Sequence, residues 1–116
     1  MPTEAQWEYA ARSRGQDLPY ATNDGMIDRK GSNIKGWNDS QDEPVTGSYY
    51  PPNPLGLHHM SGNVDEYVKD WFSEEYYQQS PEHNPQGPVT GDKKGRRGGS
   101  NSSSSRFNLV MNRDSI

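Results

Sequence analysis

The chain has 116 residues, a formal net charge of −4 and no cysteine. The length fits one domain, the acidic balance gives no reason to expect nucleic acid or an anionic membrane as a partner, and the lack of thiols excludes disulfides, thiolate metal sites and cysteine nucleophiles. No apolar stretch reaches the ~18 residues of a membrane span. We therefore expect a soluble protein, either cytoplasmic, or secreted or in the cell envelope if a signal lies upstream.

Hydrophobic residues make up only 28% of the chain, yet it contains 3 Trp, 7 Tyr and 2 Phe together with 12 Gly and 9 Pro. Aromatic rings bury much area per residue and are scarce in disordered chains. This composition predicts a loop-rich fold that is held by aromatic anchors, with support from a metal ion or an adjacent segment.

The first predicted element is a helix near the N-terminus. Thr3 can cap it, and Gln6 three residues later completes a capping box. Trp7 lies on one helical face with two alanines, which predicts that its ring is buried. Glu8 and Arg12 are spaced to form an ion pair on another face.

The middle of the chain shows weak periodicity. Residues 16–43 contain many turn signals and few apolar side chains, and so long an irregular stretch is typically functional or organised by a metal. Residues 44–50 predict a short strand that ends at two prolines. Residues 64–72 permit a helix or a strand, and we favour a strand.

The C-terminal third combines a basic run with a serine tract. Residues 93–97 carry four basic side chains, and we interpret this run as a solvated turn. Residues 102–105 are all serine, a composition typical of flexible linkers. Because apolar residues resume at 106–111, we expect the serines to lie inside the fold.

Five stretches, taken in order, resemble the sulfatase-modifying-factor (formylglycine-generating enzyme) family. They resemble its P-T-E-A-E-W-E-Y-A-A-R helix, its F-P-P-N-x-x-G-L, its Y-D/N-M-x-G-N-x-x-E-W, its N-P-x-G-P and its R-G-G-S. Each motif alone is weak, but five in order cover nearly the whole chain. The matching residues are 2–12, 50–57, 58–67, 84–88 and 97–100.

The resemblance implies an α+β, irregular, loop-rich domain with the C-type-lectin-like fold and calcium-supported loops. It also implies that residues 62–71 run beside residues 97–100. Members of the family carry a further N-terminal portion and a closing strand that ends in G-F-R. We therefore expect residues 1–116 to be a single partial domain in which both of these segments are missing.

The oxidising members of the family bind copper through two cysteines, and Ser103 and Asn108 take those places here by spacing. A hydroxyl cannot replace a thiolate at Cu(I), so we expect no copper and no oxidase reaction. A serine nucleophile would need a histidine base, and nothing in the sequence places His58, His59 or His83 beside the serines. For His58 and His59 we favour one buried and one exposed ring over a metal pair.

Calcium is the cofactor that the resemblance still implies. The first candidate site combines the Asn33 side chain, the Ile34 carbonyl and the Asp39 carboxylate, since calcium prefers oxygen ligands in turns of this kind. Ordinary turn chemistry is the alternative for these residues.

The second candidate calcium site consists of the Gly62 and Val64 carbonyls and the Glu66 carboxylate. The family usually has Asp or Asn where this chain has His59, and that difference removes one oxygen ligand from the site.

We interpret the chain as a non-catalytic, bacterial-type relative that acts as a binding or structural module. A protein or ligand partner would contact its loops, with residues 101–108 as one surface. An enzyme whose catalytic residues lie outside this chain is the alternative, and a gene fragment without a function of its own is a third. The aromatic contact candidates are Trp37, Tyr49, Tyr50, Tyr76 and Tyr77, with core packing as the alternative for at least Trp37 and Tyr49.

Overall fold

A computed structural model describes residues 1–28, 34 and 43–116. Irregular segments dominate this part of the chain, and one helix and three strands form its regular structure, which confirms the predicted loop-rich α+β class. No helix within these ranges is both long and apolar enough to cross a membrane. The elements are α1 (Glu4–Ala11), β1 (Glu66–Trp71), β2 (Lys94–Arg97) and β3 (Asp114–Ser115), with short 3-10 helices at Tyr76–Gln78 and Ser105–Asn108.

Helix α1 begins with the predicted capping box. The Gln6 amide donates to Thr3 Oγ1 at 3.2 Å, and the Thr3 amide donates to Gln6 Oε1 at 3.0 Å. The Trp7 side chain is buried, and Arg12 Nε lies 3.0 Å from Glu8 Oε1. The burial of Trp7 and the Glu8–Arg12 ion pair are therefore both confirmed.

The three strands form one antiparallel sheet in the order β1-β2-β3. In the β1–β2 pair, Glu66 lies opposite Arg97, and the register shifts before Trp71. The Gly62 amide extends this contact by donating to the Gly98 carbonyl at 2.8 Å. The predicted strand within residues 64–72 and its position beside the R-G-G-S segment are confirmed.

The strand predicted for residues 44–50 is wrong. The described residues 43–50 contain bends and a turn, which closes where the Tyr49 amide donates to the Thr46 carbonyl at 3.1 Å. The backbone of Val45 bonds to a side chain instead of a neighbouring strand. Its amide donates to Asn63 Oδ1 at 2.8 Å, and its carbonyl accepts from Asn63 Nδ2 at 3.2 Å. Long-range amide contacts have outweighed local β propensity here.

The solvated turn predicted for residues 93–97 is also wrong. Lys94–Arg97 is β2, the central strand of the sheet, and Arg97 is only 1% exposed. A charged side chain is buried at this level only when opposite charges and hydrogen bonds satisfy it. The carboxylates of α1 provide these partners for Arg97.

The apolar core is small, and polar groups occupy much of the described interior. Arg97, Glu4, Asn108 and Asp70 are among the largest fully buried side chains. Hydrogen bonds and ion pairs must therefore contribute much of the stability that apolar contacts provide in other domains, which agrees with the low hydrophobic content of the chain. The core consists of Trp7, Ala11, Ala21, Met60, Val68 and Val110, packed against Ala10.

Candidate functional site

The loop that follows β2 is the candidate site, and we call residues 100–108 the serine loop. Two glycines turn the chain into it, because Gly98 and Gly99 have φ of 91° and 72°, values that L side chains avoid. A Cβ on Gly99 would clash with Asn108 Oδ1. The R-G-G-S motif therefore needs its second glycine for contact as well as for conformation.

Three hydroxyl groups cluster at the start of the serine loop. Ser100 Oγ lies 3.1 Å from Ser102 Oγ and 3.2 Å from Ser103 Oγ, and the Ser100 amide donates to Ser103 Oγ at 2.9 Å. The Asn101 amide donates to the Asn63 carbonyl at 2.8 Å, which ties the loop to the segment before β1. The serine tract is therefore an ordered turn within the fold, as predicted.

The structure brings together the two residues that the resemblance places at the family's thiol positions. Asn108 is 1% exposed, and its Nδ2 donates to the Ser103 carbonyl at 3.4 Å. A neutral hydroxyl and a neutral amide offer no soft anionic ligand. The chemistry that this pair can perform is hydrogen bonding that shapes the loop.

The histidines lie in a separate row of aromatic side chains. His58 Nδ1 lies 2.9 Å from the Tyr50 carbonyl, and His59 Nε2 lies 2.9 Å from the Thr46 carbonyl. Both rings are half-buried, so the expectation of one buried and one exposed ring is wrong. Tyr50 makes edge-to-face contacts with Tyr49 and His59, at centroid distances of 4.8 and 6.0 Å. Each of these rings is therefore partly covered by another ring.

The structure places the other aromatic contact candidates at different depths. Tyr49 is 57% exposed, and Tyr77 is 39% exposed although its ring packs on the Arg113 guanidinium at 5.0 Å. Burial and the nearby carboxylates raise the pKa of Tyr77. Tyr76 is half-buried and meets Tyr77 edge to face. Trp37 lies outside the described residues.

Of the first predicted calcium site, only Ile34 lies within the described residues, and its side chain is buried. Asn33 and Asp39 fall outside them.

The second predicted calcium site offers an incomplete set of ligands. Gly62 is buried and Val64 is exposed. Glu66 Oε2 already accepts from Trp7 Nε1 at 2.6 Å. Burial raises the pKa of Glu66, although the Trp7 hydrogen bond and the charge of His59 oppose the rise. Two carbonyls and one remaining carboxylate oxygen are three ligands, whereas calcium takes about six to eight.

Sequence reasoning missed a group of four charged side chains, two buried and two half-buried, which we call the ionic junction: Glu4, Glu8, Arg97 and Arg113. Arg97 Nη1 lies 2.9 Å from Glu4 Oε1, and Arg97 Nη2 lies 2.9 Å from Glu8 Oε2. Arg113 donates to both oxygens of Glu4, at 2.7 and 3.0 Å. The junction joins α1, β2 and the segment that follows the serine loop.

Opposite charges and hydrogen bonds around the junction stabilise the ionised forms of its side chains. Burial alone would raise the pKa of Glu8, but the charge and hydrogen bond of Arg97, helped by Arg12, outweigh it and lower the pKa. The hydrogen bonds that Arg113 donates to the Glu4 carboxylate raise the pKa of Arg113. Asp70 adds a further anion at the N-terminus of α1, where its Oδ1 accepts from the Glu4 amide at 2.8 Å. Positive partial charge at a helix N-terminus favours an anion in this position.

The fold and this arrangement of motifs agree with a direct family match. The model of the Sulfatase-modifying factor enzyme 1-like domain matches residues 1–115. The chain therefore belongs to the sulfatase-modifying-factor family.

The chain is similar to three proteins of different kinds. It is 38% identical over 110 residues to the formylglycine-generating enzyme of Streptomyces coelicolor, covering 86% of this chain and 35% of the enzyme. It is 38% identical over 102 residues to the serine/threonine-protein kinase pkn1 of Chlamydia pneumoniae, covering 85% of this chain and 15% of the kinase. The structure matches Treponema denticola variable protein 1 with a TM-score of 0.88 at 28% identity, covering all of this chain and 41% of that protein.

The chain thus spans about a third or less of the two curated relatives. Similar domains occur in an enzyme, in a kinase and in a variable protein. The shared fold therefore does not by itself assign a function, which has to be argued from the site.

Proposed function

We propose that the chain is a non-catalytic binding module of the sulfatase-modifying-factor family that engages a protein partner through its loops. One observation carries the proposal. The positions that resemble the thiol pair hold Ser103 and Asn108, which bond to each other within an ordered turn. Neither can form the thiolate that Cu(I) chemistry requires.

The binding surface that we propose is the outer face of the serine loop. Ser102 and Phe107 are exposed there, and Phe107 retains 48% of its accessible surface. Exposed aromatic rings beside hydroxyl groups supply contact area and hydrogen bonds at low cost in side-chain entropy. The ionic junction attaches both ends of this segment to α1, through Arg97 before the loop and Arg113 after it.

The experiment is affinity capture followed by quantitative mass spectrometry, with the protein and two matched variants. Phe107→Ala removes the exposed ring from the proposed surface, whereas Val89→Ala trims a side chain that is 95% exposed elsewhere. We expect at least one partner that the unaltered protein and Val89→Ala retain and that Phe107→Ala loses. Capture profiles that are identical for all three proteins would contradict the proposal.

The second candidate function is an enzyme of the same family whose catalytic residues lie outside this chain. The 38% identity to a formylglycine-generating enzyme, over only 35% of its length, favours keeping this alternative. It predicts that a longer form of the protein, carrying a cysteine pair, oxidises a cysteine-containing sulfatase peptide with copper and oxygen. A longer form without turnover would favour the binding module.

For the loops we further propose calcium as a structural cofactor. The carbonyls of Gly62 and Val64 and the free oxygen of Glu66 would supply part of one site, and Asn33, Ile34 and Asp39 would supply the other. Hard oxygen donors in turns suit calcium better than magnesium, which demands octahedral geometry. The metal would order loops that bury little apolar surface.

A further inference from the structure

A surface groove lies between the segment after β1 and the segment after the serine loop. Its volume is about 340 Å³. Its lining combines apolar and charged side chains, a composition that suits a small, specific contact. The residues that line it are Phe72, Glu74, Arg106, Leu109, Met111, Asn112 and Arg113.

One wall of the groove is held rigidly. The Arg113 guanidinium stacks on the Phe72 ring at 5.2 Å, and it donates to the Ser73 carbonyl at 2.9 Å as well as to Glu4. Its charge is therefore already matched by Glu4 within the ionic junction. Arg113 serves as a wall for an apolar group, together with Leu109 and Met111, and not as the cation that a ligand would meet.

Two other charged side chains line the groove. Arg106 and Glu74 are both exposed, and neither belongs to any ion pair within residues 1–28, 34 and 43–116. The Arg106 guanidinium lies 5.9 Å from the centroid of the Phe107 ring. The groove therefore offers a cation, an anion and an apolar surface to a ligand at the same time.

From this combination we infer that the groove binds a partner segment in which a bulky apolar side chain is flanked by one acidic and one basic residue. The carboxylate would meet Arg106, the cationic group would meet Glu74, and the apolar side chain would lie on Phe72, Leu109 and Met111. Met111 is 66% exposed, so its side chain is accessible to the apolar group of the segment. This inference rests on the proposed binding role and names the chemistry of the partner.

The test uses three short peptides and amide chemical-shift titrations of the isotope-labelled protein. The probes are acetyl-Gly-Glu-Leu-Lys-Gly-amide, its charge-reversed form acetyl-Gly-Lys-Leu-Glu-Gly-amide, and the neutral control acetyl-Gly-Gln-Leu-Gln-Gly-amide. We expect saturable shifts confined to residues 72–74 and 106–113. One charged peptide should bind more tightly than the other, because the positions of Arg106 and Glu74 fix its direction, and both should exceed the control.

Charge variants assign the contacts. Arg106→Gln and Glu74→Gln should each weaken binding of the preferred peptide by about 1.4-fold to 5-fold, the range for a solvent-exposed charge pair. Glu75→Gln, at the exposed neighbour of Glu74, should have no effect. The double variant Arg106→Glu with Glu74→Arg should reverse the preference between the two charged peptides. Both positions are exposed, so the fold should tolerate these changes.

Equal binding of all three peptides, shifts outside the groove, or an unchanged preference in the double variant would overturn the inference. These failures are distinguishable from failure of the proposed function. If partner capture still depends on Phe107 while the peptides fail, the groove assignment alone is wrong. If capture is independent of Phe107 while the peptides bind as expected, the groove stands and the serine-loop surface is wrong.

Discussion

The ionic junction and the serine loop are both polar, but they use polar groups in opposite ways. In the junction, Arg97 and Glu4 are almost completely buried, and each meets opposite charge. In the serine loop, Ser102 and Phe107 face solvent, and the hydroxyl groups bond mainly to one another. The difference separates the parts of this chain that stabilise the fold from the parts that are free to contact a partner.

The largest effect should follow from breaking the junction. Arg97→Leu leaves Glu4 as a buried carboxylate that has lost a partner, and removing one member of a buried pair costs about 3–5 kcal/mol. The neighbouring Arg96 pairs with Asp65 and Asp114 at the half-exposed sheet surface. Arg96→Leu should therefore cost about 1 kcal/mol or less. Urea unfolding followed by Trp fluorescence measures both, and equal losses would remove the distinction between the two arginines.

The addition of calcium tests whether a bound metal orders the loops. A ligand that binds only the folded state at a hundredfold excess over its Kd stabilises that state by about 2.7 kcal/mol. We expect calcium to raise the Tm, magnesium to raise it much less, and Asn33→Ala or Glu66→Gln to reduce the calcium effect.

The calcium measurement is differential scanning calorimetry with calcium, with magnesium and with chelator, preferably on a longer form of the protein. Superimposed curves in calcium and chelator would mean that packing alone orders the loops.

Gly99→Ala tests the connection between the two regions. An alanine at φ 72° costs about 1–2 kcal/mol in backbone strain, and its Cβ would also meet Asn108 Oδ1 and the Phe107 carbonyl. Gly56 is the matched control, since it has φ 85° but no atom within 4 Å of an added Cβ. The cost at Gly99 should exceed that at Gly56 in the same unfolding assay. Equal losses of stability in the two variants would show that the serine loop shifts to accommodate the added Cβ without a measurable cost.

The pH dependence of stability should carry two small contributions of opposite sign. The lowered pKa of Glu8 means that the folded state favours its ionised form. This contribution is present above the unfolded pKa and is lost as pH falls through the lower folded value. Glu8→Gln should therefore flatten the acid side of the stability profile.

For Glu66 the sign is reversed, because burial raises its pKa. Its contribution is largest below the unfolded pKa and is lost as pH rises through the folded value. In Glu66→Gln the side chain can still accept a hydrogen bond from Trp7. This variant should therefore flatten the stability profile between the unfolded pKa of Glu66 and its higher folded pKa. Unfolding curves recorded from pH 3 to pH 7 separate the two residues, and parallel profiles for both variants would contradict the assignment.

Local signals in the sequence were sufficient for the helix, whereas for residues 64–72 they permitted a helix or a strand. The capping box, the Trp7 face and the Glu8–Arg12 pair all lie within a few residues of one another, so the sequence displays them directly. Contacts of great sequence separation were invisible. Glu4 and Arg97 are 93 positions apart, and Glu4 and Asp70 are 66 apart. Without those partners, a basic run resembles a solvated turn.

Contacts between residues far apart in the sequence also explain the wrong strand prediction. Residues 44–50 have β-type composition, but the backbone of Val45 bonds to the side chain of Asn63, 18 positions away. The order of the family motifs predicted the overall fold. The groove beside the serine loop carried no sequence signal, because its lining comes from residues 72–74 and 106–113, which only the fold brings together.

Incubation with a cysteine-containing sulfatase peptide, Cu(I) and oxygen tests the central claim most directly. Mass spectrometry reports the conversion of the peptide cysteine to formylglycine, and a formylglycine-generating enzyme with an intact thiol pair serves as the positive control. Since the serine loop presents a hydroxyl and an amide where copper chemistry needs thiolates, we predict no product above the metal-only background. Product that depends on the folded chain would contradict the account and would place catalysis in this domain.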